Sequence, residues 1–203
     1  MNLDTQPFYE QLELFVRLPD AQFRTLCKTN KAFHSICSGN LTPDILERFG
    51  PGVTEELYKR RFFYFYDQKF LKYKEEMSWK EFYNKLAYVY HLIDTVPDVQ
   101  DYFGLKSLVE ENRLTELKIL QDIVKNKERS IVAIAISAIS GNGNLDILKW
   151  VTSLNWDQEK IKEEIHDVIG NFDTLSEAIF NSFEQLPNID IYTYIIELRD
   201  SGK

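Results

Sequence analysis

The sequence predicts an all-α protein: a short helical module over residues 1–95, followed by a solenoid of helical hairpins over 100–203. Three observations carry that expectation. Residues 130–156, SIVAIAISAISGNGNLDILKWVTSLNW, read as two helices joined by a tight turn. The first fifty residues place apolar side chains at helical spacing and cut them into short pieces with caps and breakers. The C-terminal half echoes itself at intervals of a few tens of residues, the mark of stacked repeats.

In the first module, Phe8, Leu12 and Phe15 share one helical face, and Pro7 suits a first turn. Leu18-Pro19-Asp20 breaks that helix. A short amphipathic segment follows with Phe23, Leu26 and Cys27 on one side. Asn30 stands where a cap belongs for a third helix that carries Phe33, Ile36 and Cys37, closed by Ser38-Gly39-Asn40. Thr42 before Pro43 opens a fourth helix, which stops near Gly50-Pro51-Gly52. Residues 54–77 are rich in rings and cations. Ser78 with Glu81 forms a capping box for a helix whose apolar face holds Trp79, Phe82, Tyr83, Leu86, Val89, Tyr90 and Ile93. Residues 95–98, with Pro97, end it, and the joint between the two parts is expected near 95–103.

The second half reads as pairs: 105–112 with 115–126, then 130–140 with 144–154. Residues 131–139 are apolar on nearly every side, interrupted only by Ser137, which suits a helix inside a stack. Ala133, Ala135 and Ala138 are small enough to let neighbours approach. Gly141 and Gly143 stop this helix and Asn144 caps the next, whose Leu145, Leu148 and Val151 recur at threes. Such a hairpin cannot bury itself alone. Asp157, Thr174 and Asn188 are caps for further helices over 158–169, 175–186 and 189–199. ENRLTELKIL (111–120) echoes GNGNLDILKW (141–150), and residues 134–151 echo 178–195 without a gap.

Two families are similar to parts of this chain. LFVRLPDAQFRTLCKTNKAFHSICSGN (14–40) resembles the second half of an F-box motif: a Leu-Pro pair, a Leu/Cys helix, and a basic-aromatic helix ending in Ile-Cys. Glu47-Arg48-Phe49-Gly50 and SWKEFYNKL (78–86) resemble the continuation found in F-box proteins of large DNA viruses. The family's usual opening Leu-Pro-x-Glu is replaced by FYEQLELF. The string NGNLDILKWV resembles the turn and outer helix of an ankyrin repeat, without its Thr-Pro-Leu-His and without a steady period, so the array is degenerate. These resemblances imply a substrate receptor. The F-box-like module would dock a Skp1-type adaptor of a ubiquitin ligase through Leu18, Pro19, Leu26 and Phe33. The ankyrin-like helical-hairpin solenoid would hold a target protein near Asn142, Asn144, Asp146 and Trp150.

Composition narrows the alternatives. Hydrophobic residues at 44% and charged ones at 28% suit a folded globular chain rather than disorder. A net charge of −8 argues against general nucleic-acid binding, which needs a basic face. One stretch runs against that trend: from 57 to 74 there are six cations (Lys59, Arg60, Arg61, Lys69, Lys72 and Lys74) and one acid, Asp67. Phe62, Phe63, Tyr64, Phe65, Tyr66, Phe70 and Tyr73 are interleaved with them. Basic residues among rings can track a nucleic-acid backbone and stack on bases, or touch an acidic membrane surface. The favoured reading is plainer: one helix whose rings fill a core while the basic stems reach outward. A subunit interface through the rings, giving a homo-oligomer, is a third possibility.

Neither a secretory leader nor a membrane-spanning run is expected, since MNLDTQPFYE lacks a leader pattern and the longest apolar run is 131–139. Cys27 and Cys37 are expected as buried thiols in a reducing compartment, cytoplasmic or nuclear, of the host cell if the protein is viral. With His34 they make three soft ligands and lack a fourth, so no metal is expected. Glu163, His166 and Asp167 read as a solvated helix face, His91 as a core or rim residue, and Gly141-Asn142-Gly143 as a helix stop rather than a phosphate loop. No nucleophile has a positioned base. The expectation is a protein–protein interaction scaffold with no catalytic residues and no cofactor.

Overall fold

The computed structural model describes residues 8–96, 102–125, 127–139, 144–154, 157, 193, 194, 196 and 197. Every regular element among them is helical, in accord with the all-α expectation. The chain divides into two compact units, Met1–Tyr88 and Val89–Lys203, and the division falls inside a helix.

The first unit begins with α1 (Phe8–Arg17), which buries Leu12, Phe15 and Val16 and leaves Arg17 outside. Leu18 lies before a proline, where the α conformation is disfavoured, and the chain turns there. Helix α2 (Asp20–Thr29) follows with Phe23 inward. Asn30 caps α3 (Lys31–Ser38), its Oδ1 accepting from the N–H groups of Ala32 and Phe33 at 3.0 and 3.2 Å. Gly39, at φ +84°, ends α3 in the left-handed conformation that glycine adopts without a Cβ clash. Pro43 opens α4 (Pro43–Phe49). Thr42 precedes it without a side-chain cap; its N–H instead donates to Ser35 Oγ at 3.1 Å. Helix α1 packs on α5 (Val53–Phe65), α2 on α3, and α3 on both α4 and α5.

Two sequence expectations for this unit are corrected. Residues 54–77 are not one helix. Helix α5 stops at Phe65, Tyr66 is extended, and a 3-10 segment (Gln68–Tyr73) follows, capped by Asp67 Oδ1 on the Lys69 N–H at 2.8 Å. Nor are Cys27 and Cys37 free thiols: they form a disulfide that ties the end of α2 to the end of α3, with Cα atoms 6.0 Å apart. Helix α6 (Trp79–Thr95) then carries Phe82, Tyr83 and Leu86 into the core. The Glu81 N–H donates to Ser78 Oγ at 3.1 Å, as the capping box requires.

The second unit contains α7 (Tyr102–Glu110), α8 (Leu114–Ile123), α9 (Lys127–Ile139) and α10 (Leu145–Thr152). Helix α9 lies at its centre and packs on α7, α8 and α10. Its residues from Ser130 to Ala135, with Ser137 and Ala138, are all buried, as an apolar-all-round helix demands. Ser137 Oγ satisfies itself on the Ala133 carbonyl one turn back, at 2.8 Å. Asn144 Oδ1 accepts from the Ile147 N–H at 3.1 Å, the expected cap. Asn112, at φ +53°, makes the turn between α7 and α8. Beyond α10, Tyr194 OH lies 2.6 Å from Thr152 Oγ1. The helices expected over 158–169 and 175–186, the echo at 178–195 (apart from Thr193 and Tyr194) and Gly141-Asn142-Gly143 fall outside the described residues.

Candidate functional site

The first unit is assembled around a buried cation. Arg61 is fully enclosed, with 0% of its surface exposed. The cause is its place on α5. Val53, Leu57 and Arg61 recur every fourth residue, and Thr54, Tyr58 and Phe62 lie beside them; all six face inward. Burying a guanidinium is costly unless every donor finds a partner. Here Nη1 donates to the carbonyls of Phe15 at 2.5 Å, Val16 at 3.3 Å and Leu18 at 2.9 Å. Those carbonyls lie at the C-terminal end of α1, where backbone acceptors lack helical partners and the helix dipole favours positive charge. On the other side, Nη2 donates to Asp20 Oδ1 at 2.6 Å and to Tyr83 OH at 2.8 Å. Asp20 is the first residue of α2, where a carboxylate suits the dipole. Phe23 covers the face of the guanidinium, its ring centroid 3.9 Å from Cζ. One side chain therefore fixes the end of α1, the Leu18-Pro19 turn and the start of α2.

Two tyrosines complete the network. Tyr83 OH donates to Asp20 Oδ1, and burial pushes its phenol well above the usual range, against the opposing pull of Arg61. Tyr58 OH donates to the Cys37 carbonyl at 3.2 Å, and burial raises its pKa to about 12. Thr54 Oγ1 donates to the Ile36 carbonyl at 2.7 Å, so α5 holds the end of α3 through two hydroxyls.

In front of this frame stand the residues expected to face an adaptor. Pro19 is exposed, and Leu18, Leu26 and Phe33 are half-buried. Phe33 leans edge-on against Phe15, ring centroids 4.0 Å apart. The structure brings the four onto the Leu18-Pro19 turn and the α2–α3 pair.

The basic-aromatic stretch follows the favoured sequence reading in part: Phe62 and Phe70 are buried, and Lys59, Lys69 and Lys72 are exposed. Arg61 points in, while Phe63, Tyr64 and Phe65 are 45%, 54% and 39% exposed. Arg60 is half-buried and bonded, its Nε 2.6 Å from Glu56 Oε1 and its Nη1 2.9 Å from Glu13 Oε1. The hydrogen bond to Glu56 is the largest of the effects that raise its pKa. Lys59 is exposed, with Nζ 5.9 Å from the centroid of the Trp79 ring. Of Lys59, Arg60 and Arg61, the first three cations of the stretch that could track nucleic acid, Arg61 is enclosed and Arg60 is engaged with two carboxylates. The i, i+4, i+8 rhythm through Val53, Leu57 and Arg61 was the signal that could have placed Arg61 inside.

On the second unit, Asn144 and Trp150 are half-buried and Asp146 is exposed on α10, whereas Asn142 lies outside the described residues. Lys149 Nζ stands 5.7 Å from the centroid of the Tyr194 ring. His91 is exposed on α6. Glu163, His166 and Asp167 lie outside the described residues. The sulfurs of Cys27 and Cys37 are bonded to each other, and His34 Nδ1 lies 3.3 Å from the Cys27 carbonyl, so that trio holds no thiolate pair. Among the described residues no group of three His, Cys, Asp or Glu is placed to hold a metal, and no helix is long and apolar enough to cross a membrane. A cavity of about 10 Å³ in the first unit, bounded by Leu12, Phe15, Phe33 and Leu57, is about one water in size.

No protein-family model, curated protein or solved structure matches this chain, so its likeness to F-box and ankyrin-repeat proteins rests on the motif residues themselves.

Proposed function

We propose that the chain is a protein–protein interaction scaffold, in which an F-box-like first unit docks a Skp1-type adaptor of a ubiquitin ligase and an ankyrin-like second unit holds a target. The observation that carries this reading is the α2–α3 face. Leu18, Pro19, Leu26 and Phe33 keep exposed apolar surface directly over a frame that Arg61 and the Cys27–Cys37 disulfide hold fixed. A fixed apolar face loses little conformational freedom on binding, which favours a folded protein partner. The motif resemblance over 14–40 names the partner class. Helix α10 supplies the second face through Asn144, Asp146 and Trp150. Engagement of Arg60 and Arg61 within the fold weighs against nucleic acid as the partner of this stretch.

The test is recovery of the adaptor on the tagged full chain. Wild type retains it, Leu26→Glu loses it, and Leu46→Ser, an exposed apolar change on α4, retains it. Absence of adaptor on the wild-type chain would remove the ubiquitin-ligase reading. Nucleic-acid binding at low salt that Lys59→Glu abolishes would put the other reading in its place.

A further inference from the structure

The last turn of α5 is a tip that carries three consecutive rings with large exposed surfaces. Successive residues of an α-helix point about 100° apart, so three in a row fan over roughly 200° of its circumference. Phe63, Tyr64 and Phe65 do so on the last turn, where 45%, 54% and 39% of their surfaces meet solvent. Phe63 leans toward Trp79, centroids 5.8 Å apart, while Tyr64 and Phe65 pair edge-on at 4.9 Å. A flat or grooved protein face covers one side of a helix and leaves the rest of such a fan wet. A soft interface closes round all of it.

Lys59 and Lys74 both reach the Trp79 ring that Phe63 leans on. Lys59, Lys69 and Lys72 are exposed, and Lys74 is half-buried with Nζ 4.8 Å from the centroid of the Trp79 ring. Asp67, the acid within the stretch, is turned to its own backbone as a cap. Glu75 and Glu76 follow at once and are exposed, which limits the local positive excess. Protruding rings edged by ammonium groups match the boundary between acyl chains and anionic headgroups. We infer that this tip is a peripheral membrane-binding site for a bilayer surface rich in anionic phospholipid, with Phe63, Tyr64 and Phe65 entering the interface and Lys59 and Lys69 meeting the headgroups. Membrane binding there does not depend on adaptor docking.

The test uses the full chain and unilamellar vesicles of phosphatidylcholine, with and without phosphatidylserine, read by co-sedimentation. The wild type sediments with the serine-containing vesicles and loses binding as salt rises. Phe63→Ser with Tyr64→Ser and Phe65→Ser lowers partitioning by about tenfold or more. Lys59→Glu with Lys69→Glu lowers it too and flattens the salt dependence, which keeps the test alive if the triple variant fails to fold. Leu14→Ser, a change at an exposed apolar residue of α1, leaves binding unchanged. The inference falls if the wild type stays in the supernatant with anionic vesicles, if the ring and lysine variants bind as the wild type does, or if Leu14→Ser loses as much. A wild-type dimer in light scattering that the triple variant dissolves would assign the tip to a second copy of the chain instead.

Discussion

The two units are held together by different physics. The first is organised by polar groups that leave little freedom: Arg61 with its carbonyls, Asp20 and Tyr83, the hydroxyls of Thr54 and Tyr58, and a disulfide. The second is organised by shape. Val132, Ala133, Ile134, Ala135 and Ala138 of α9 are wholly buried among aliphatic neighbours. Its buried polar atoms include two with no partner among the described residues, Gln121 Oε1 and Ser130 Oγ. Apolar packing tolerates exchange of one hydrophobic residue for another of similar volume. A buried cation does not tolerate loss of its partners, nor they of it. The same kind of substitution should therefore have different consequences in the two units.

The largest effect is expected at the hub. Arg61→Met keeps side-chain length but leaves three carbonyls without this donor and Asp20 with Tyr83 alone, and should destabilise the first unit by about 3–5 kcal/mol in a denaturant titration. Arg61→Lys should rescue little of this, because one ammonium cannot replace the guanidinium fork. In the second unit Ile134→Ala opens a cavity at a wholly buried site and should cost about 3 kcal/mol. A cost at Ile134 far above that at Arg61 would reverse the comparison.

Replacing Cys27 and Cys37 with serine opens a loop of sequence separation 10 and should destabilise the first unit by about 3 kcal/mol, an effect that reductant reproduces on the wild type. Alkaline pH should also act on this unit. Tyr58 and Tyr83 both have pKa values raised above the ordinary 10.0 by burial, so their contribution is fully present below pH 10. Above pH 10 the unfolded chain loses these protons first, and stability falls toward the folded value, about 12 for Tyr58. The fall should reach about 1.4 kcal/mol per tyrosine by pH 11, and Tyr58→Phe should flatten it. The smallest effect has the opposite sign. Ser130 is 0% exposed and its hydroxyl has no partner among the described residues, so Ser130→Ala should stabilise the second unit by about 1 kcal/mol.

What the sequence made legible follows the same division. Asn30, Asn144 and the Ser78 capping box act on backbone within three residues, so their chemistry is complete in a local reading. The burial of α9 was readable because its apolar run leaves no polar face to expose. The rhythm of α5 could place Arg61 inside, but its partners lie 41–46 residues earlier and 22 residues later in the chain, where no local pattern names them. The disulfide was missed for a related reason: two cysteines on separate short helices do not state that their helices pack together. Of the exposed rings, Phe63 stands two positions past Arg61 and so off its inward face, whereas Phe65, four positions on, keeps to the Arg61 side with its ring centroid 5.0 Å from Cζ and is exposed because α5 ends there.

Residue-resolved hydrogen exchange on Arg61→Met tests most directly whether this cation organises the first unit. The prediction is loss of amide protection in the last turn of α1, the first turns of α2 and the facing part of α5. Protection there equal to the wild type would contradict it, and would mean that the ring packing alone holds these helices.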